Sequence, residues 1–130
     1  MNMYTQSTHN IEVRVSVFYQ ESHSKPSEKK FVYAYQVGIH NNREEKVQLL
    51  RRHWIVKDSN GTIKEIEGEG VIGEQPILLP GQSHQYNSWV PLKSDIGIMY
   101  GTYLMKNLQT DKLFKVEIPP FKLIPTFKYN

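Results

Sequence analysis

The chain has 130 residues with no cysteine, and sixteen basic against thirteen acidic side chains give it a formal charge of +3. That length fits one domain covering residues 1–130, able to bury about 68% of its unfolded surface without disulfide staples. The missing cysteines exclude a disulfide framework, thiolate metal sites and cysteine nucleophiles, and fit a reducing, cytoplasmic setting. The small, interspersed charge argues against a specific nucleic-acid footprint.

The opening residues Met1 to Gln6 lack the basic start and apolar stretch of a signal peptide. No apolar run approaches the roughly 20 residues that cross a bilayer as a helix, so a soluble protein is expected. Period-2 alternation then dominates. Ile11, Val13, Val15, Val17 and Tyr19 alternate with polar residues and predict a half-buried strand. Glu21 to Lys30, polar and interrupted by Pro26, reads as a flexible loop. Phe31 to Ile39 is a second strand, closed by an Asn41-Asn42 turn.

Val47 to Lys57 predicts the next strand. The run Asp58-Ser59-Asn60-Gly61 signals a hairpin leading into Thr62 to Glu67. Punctuation follows at Gly68, Gly70, Gly73, Pro76 and Pro80-Gly81. Further strands are predicted over Ser83 to Val90, Ile98 to Lys106 and Leu113 to Ile118. Pro119-Pro120 is expected to end the last of them, and Phe121, Leu123, Ile124 and Phe127 to pack a short tail onto the body. The sum is an all-β chain of about seven strands, best accommodated as a β-sandwich.

Gly68-x-Gly70-x-x-Gly73 matches the spacing of a dinucleotide-binding turn, and a strand precedes it as that motif requires. The helix that should follow is forbidden by Pro76 and Pro80-Gly81. These glycines are therefore read as a turn or bulge crossing between sheets, with anion binding by exposed amides as the rival. Strain of that kind predicts a cost of about 1–3 kcal/mol for Gly70→Val. The five histidines show no metal-ligand spacing, and no catalytic motif is present, so no catalytic, metal or cofactor residues are assigned. In Arg51-Arg52-His53-Trp54, alternation places Arg52 on the face of Trp54, where a cation–π pair would hold the sheet.

From Leu49 onward the pattern resembles the ApaG family of small bacterial proteins, whose domain also occurs within eukaryotic F-box proteins and a polymerase-associated protein. The residues carrying the resemblance are Leu49 to Ile55, the run Gly68 to Pro76 with Leu79-Pro80-Gly81, and Tyr86 with Ser88. They continue through Gly97, Met99, Gly101, Tyr103 and Met105 to Phe114, Val116, Ile118, Pro119 and Phe121. The resemblance implies a fibronectin type III-like, immunoglobulin-like sandwich and an association, by family name, with cobalt resistance and magnesium efflux. It also implies a glycine loop proposed to bind pyrophosphate, matched here by Gly68, Gly70 and Gly73. Trp89 to Leu92 and Lys93-Ser94-Asp95 depart from the pattern and are expected to alter one loop.

The expectation is a non-enzymatic protein-interaction module, its partner another protein, with a homodimer left open. Its working surface would comprise the loops around Gly68–Gly81 and Trp89–Asp95. The alternative is a nucleotide- or pyrophosphate-binding domain using Gly68–Gly73, tied by analogy to diadenosine polyphosphate metabolism.

Overall fold

A computed structural model of the chain describes residues 2–125. Nine strands run in chain order: β1 (Asn2–Thr8), β2 (Ile11–Tyr19), β3 (Phe31–Asn41), β4 (Val47–Asp58), β5 (Ile63–Glu69), β6 (Ile77–Leu78), β7 (Ser83–Leu92), β8 (Gly97–Asn107) and β9 (Leu113–Leu123). Seven lie where alternation predicts them. They form two antiparallel sheets ordered β1-β2-β3-β7 and β5-β4-β8-β9, with β6 beside β4. This is the fibronectin type III-like sandwich, enlarged by β1.

The strand β1 is invisible to alternation because Tyr4 is its one large inward residue among Thr, Gln and Ser. It is created by the turn: His9 and Asn10 both take positive φ (50° and 60°) and fold β1 onto β2, pairing Thr8 with Ile11. Two positive-φ residues match the twist of a two-residue hairpin. The segment Glu21 to Lys30 is built rather than loose. It forms two 3-10 turns, Glu21–His23 and Pro26–Glu28, and the Ser24 hydroxyl bridges the Gln20 carbonyl (2.7 Å) and the Val32 amide (2.9 Å).

Pro119-Pro120 does not end β9, which continues to Leu123. The register with β8 slips between Met99 and Gly101, so the prolines occupy a bulge on an edge strand where missing donors cost nothing. Phe121 and Leu123 are therefore core residues of β9 and not a tail, while Ile124 is half-buried. Phe127 lies outside the described residues.

The core is aromatic at its centre. Trp54 of β4, 2% exposed, sits 5.5 Å from the Tyr35 ring, 5.8 Å from Phe121 and 6.3 Å from Tyr103. Such edge-to-face packing adds about 0.5–1.5 kcal/mol per pair beyond area burial. Asn41, fully buried at the end of β3, locks the crossover between sheets. Its side chain donates to the Glu45 (2.9 Å) and Leu78 (3.0 Å) carbonyls and accepts from the Arg43 amide. Its backbone exchanges bonds with Gly81 and Gln82. The sheet-to-sheet crossing thus belongs to the Pro80-Gly81 turn.

Candidate functional site

The glycine segment stays on one sheet instead of crossing. β5 pairs with β4 from Lys57 back to Arg51, and β6 resumes pairing at Gln48 and Val47. Between them the chain leaves the ladder for a small hairpin of its own. A bulge in β4 makes room, since its register with β8 slips between Leu49 and Arg51. The Leu50 carbonyl at that bulge accepts from the Gly70 amide (2.8 Å) and the Gln75 side chain (2.9 Å).

Within the hairpin, Val71 and Glu74 exchange backbone bonds of 2.8 and 3.0 Å. The two residues between them, Ile72 and Gly73, have φ of 47° and 74°, the type I′ pattern. Val71 is 1% exposed and anchors the hairpin in the core, whereas Ile72 at the tip is 62% exposed.

Each glycine has a separate geometric cause. A Cβ on Gly68 would lie 2.9 Å from the Arg52 guanidinium, which packs over it. One on Gly70, at φ +61°, would lie 2.0 Å from the Glu74 carbonyl oxygen. Gly73 has open space around it and is constrained by its φ alone. Gly68 lies near the end of β5, and Gly70 and Gly73 lie in the hairpin that leaves it. The amides of Gly70, Val71 and Glu74 donate to protein carbonyls, and the chain runs on into β6 without a helix.

Arg52 is the residue that sequence reasoning misassigned. Its Nη1 donates to the Glu69 and Gly70 carbonyls, both at 3.0 Å, which clamps the hairpin to β4. The cation–π contacts fall elsewhere, with Arg43 over Phe114 at 4.9 Å and Lys57 over Tyr100 at 5.6 Å. The usable signal was register: a glycine opposite an inward arginine leaves space for the guanidinium to lie flat. Glu74 extends from the hairpin toward His84 on the other sheet, 3.7 Å away.

Beneath Arg52 lies a tyrosine cluster. The Tyr86 and Tyr103 hydroxyls are hydrogen-bonded to each other. Burial pushes the pKa of both, and of Tyr35, above the ordinary phenol value. For Tyr35, the Ser88 hydrogen bond and then the Arg52 charge oppose that rise. These phenols remain neutral and serve packing. Among the described residues no three His, Asp or Glu side chains group so as to hold a metal ion.

The second predicted loop is largely strand. Trp89 to Leu92 belong to β7, and Trp89, 49% exposed, stands on the outer face with its ring 4.8 Å from His23. Only Lys93 to Ile96 form a turn, fixed by the Asp58 carboxylate, which accepts from the Lys93 amide at 2.8 Å and from the Ser94 hydroxyl.

Fold and site together define a fibronectin type III-like domain whose second sheet ends in a clamped glycine hairpin. The chain belongs to the ApaG family, since the family model described as the ApaG domain matches residues 21–107. Over 121 residues it is 46% identical to Protein ApaG of Paramagnetospirillum magneticum and 47% identical to that of Brucella canis. Each match covers 93% of this chain and 92% of the relative. The crystal structure of an ApaA protein from Bordetella pertussis superposes with a TM-score of 0.86 at 36% identity, covering 95% of this chain and 96% of the other. No helix among the described residues is long and apolar enough to cross a membrane.

Proposed function

We propose that this protein is a non-enzymatic interaction module that docks on another protein through the glycine hairpin and its apolar rim. The observation that carries the reading is Ile72. A β-branched residue at positive φ costs about 1–2 kcal/mol, and here the side chain recovers little by burial because it is 62% exposed. Strain maintained on an exposed apolar knob points to a contact made outside the chain. Ile77 and Leu79, which follow the hairpin in sequence, are also exposed. The family's association with cobalt resistance and magnesium efflux fits an accessory acting on another protein.

The test is Ile72→Asn, since asparagine accepts positive φ readily. The variant is expected to melt at or above the wild-type temperature while losing the partner that tagged wild-type chain captures from host lysate. Undiminished capture overturns the reading. ATP, NAD and diadenosine tetraphosphate, each at millimolar concentration, are expected to leave the melting temperature unchanged. A nucleotide at a hundred times its Kd would add about 2.7 kcal/mol, and a saturable shift of that kind would transfer the site to pyrophosphate.

A further inference from the structure

A sandwich has four sheet edges, and unpaired edge strands invite pairing with another chain unless something blocks them. Here β1 and β9 lie along one seam and close it. The Thr8 hydroxyl accepts from the Glu117 amide (3.2 Å) and the Tyr4 hydroxyl from the Lys122 amide (3.3 Å), so β1 side chains cap outward donors of β9. Pro119 and Pro120 remove two more donors. On the opposite flank β7 carries Pro91. The remaining edge, β5, runs for seven residues with no proline and with almost every residue exposed.

The side chains of β5 are patterned. Ile66 pairs with inward Trp54 and Gly68 with inward Arg52, so Lys64, Ile66 and Gly68 share the inner face. Ile63, Glu65, Glu67 and Glu69 therefore form the outer row. On β4 the neighbours of that row are Arg51 opposite Glu69, His53 opposite Glu67, Ile55 opposite Glu65 and Lys57 opposite Ile63. His53 reaches Glu65 at 2.8 Å and Glu67 at 3.7 Å. On its β4 side the acidic row thus meets one fixed cation directly, Arg51, and the imidazole of His53, while its outer side is open; opposite charges across adjacent strands stabilise pairing.

We propose that β5 is a strand-addition site for an extended segment of a partner protein bearing Lys or Arg at alternate positions. The basic side chains would stand opposite Glu65, Glu67 and Glu69, on the side of the acidic row that β4 does not cover. On the other face, apolar side chains would cover Ile66. Main-chain hydrogen bonds to the free edge supply affinity and the charge row supplies register. A second copy of this chain fits poorly. Antiparallel self-pairing centred on Ile66 sets Glu65 against Glu67 twice, and like charges directly opposite are destabilising. The proposal rests on the interaction-module reading and gives the partner a chemistry.

The experiment uses the full chain, isotope-labelled, and three synthetic nine-residue peptides. One alternates Lys and Val, one alternates Glu and Val, and one is the basic peptide with a central proline. The basic peptide is expected to shift the backbone amide signals of residues 63–69 saturably, more weakly as salt is raised. The acidic and proline peptides are expected not to. Glu65→Lys combined with Glu67→Lys, both exposed and outside the core, is expected to weaken the basic peptide by about tenfold, the scale of two modest cross-strand pairs.

Equal binding of the acidic peptide, shifts confined elsewhere, indifference to the charge reversal, or no binding of the basic peptide overturns the proposal. So does concentration-dependent dimerisation that pairs β5 with itself. Partner capture separates the two levels. Loss with Ile72→Asn but not with the double charge reversal leaves the docking module standing and removes the strand-addition site. Loss with neither removes both.

Discussion

A methyl group on Gly70 would have to occupy a position 2.0 Å from the Glu74 carbonyl oxygen, a backbone atom that already accepts from Val71. The hairpin can relieve that overlap only by opening. Opening sacrifices the Gly70 amide bond to Leu50 and the Arg52 bond to the Gly70 carbonyl, each worth about 0.5–1.5 kcal/mol. Holding a non-glycine residue at positive φ adds about 1–2 kcal/mol. Gly70→Ala is therefore expected to cost about 2–5 kcal/mol, a large part of the 5–15 kcal/mol that stabilises a typical domain. Sequence alone suggested about 1–3 kcal/mol for Gly70→Val, and the closeness of the Glu74 carbonyl raises that figure.

The neighbouring glycines supply internal controls. Gly73→Ala meets no atom within 4 Å and carries the φ penalty only, about 1 kcal/mol. Gly68→Ala displaces a flexible guanidinium and should fall between the two, at about 1–2 kcal/mol. Urea unfolding of the three variants in one buffer gives the ranking, provided the slopes match wild type. If Gly73→Ala cost as much as Gly70→Ala, or Gly70→Ala cost under about 1 kcal/mol, the contact geometry assigned to the hairpin would be wrong.

Arg52→Gln removes a donor from two carbonyls and is expected to lower stability by about 1–3 kcal/mol, two bonds of the size assigned above; hydrogen exchange should show residues 69–75 opening first. Tyr35, Tyr86 and Tyr103 have pKa values raised in the fold above the ordinary value of 10.0. Their contribution is therefore complete below pH 10 and is lost as pH rises above it, because unfolding then releases protons. An alkaline titration followed by phenolate absorbance should show these three ionising together with loss of strand circular dichroism. Reversible ionisation of all eight tyrosines in one step, with the fold intact, would refute that placement.

The legible parts of the fold were those where one face is apolar and the other polar. Val13, Val15, Val37 and Ile39 announce β2 and β3 because their alternation is the direct imprint of a buried sheet face. The strand β1 escaped because its stability comes from the His9-Asn10 turn and the seam with β9, neither of which leaves a hydrophobic period. Pro119-Pro120 misled for a related reason: the rule that proline ends strands assumes every donor is needed, and a bulged edge strand needs fewer. The glycines were legible as a cluster, since few other structures need Gly68, Gly70 and Gly73 so close together. Their individual causes were not, because one depends on Arg52, sixteen positions away in sequence, and another on the carbonyl of Glu74.

The two flanks of the sandwich divide the work. At the β1–β9 seam, side chains cap backbone donors, prolines fill the bulge, and Phe121 and Leu123 close the core. Substitutions there act through stability. At the β5 flank the backbone is held from within, by Arg52, Leu50 and Val71, while the outward atoms are left open. A surface that is rigid from behind and unfilled in front loses little conformational entropy on binding, which is the condition for tight association from a modest contact area. Ile72 and the Glu65–Glu67–Glu69 row can therefore be changed without unfolding the domain. Gly70 and Arg52 cannot, although they lie within the same stretch of chain, Arg52 to Ile72, as the surface they support.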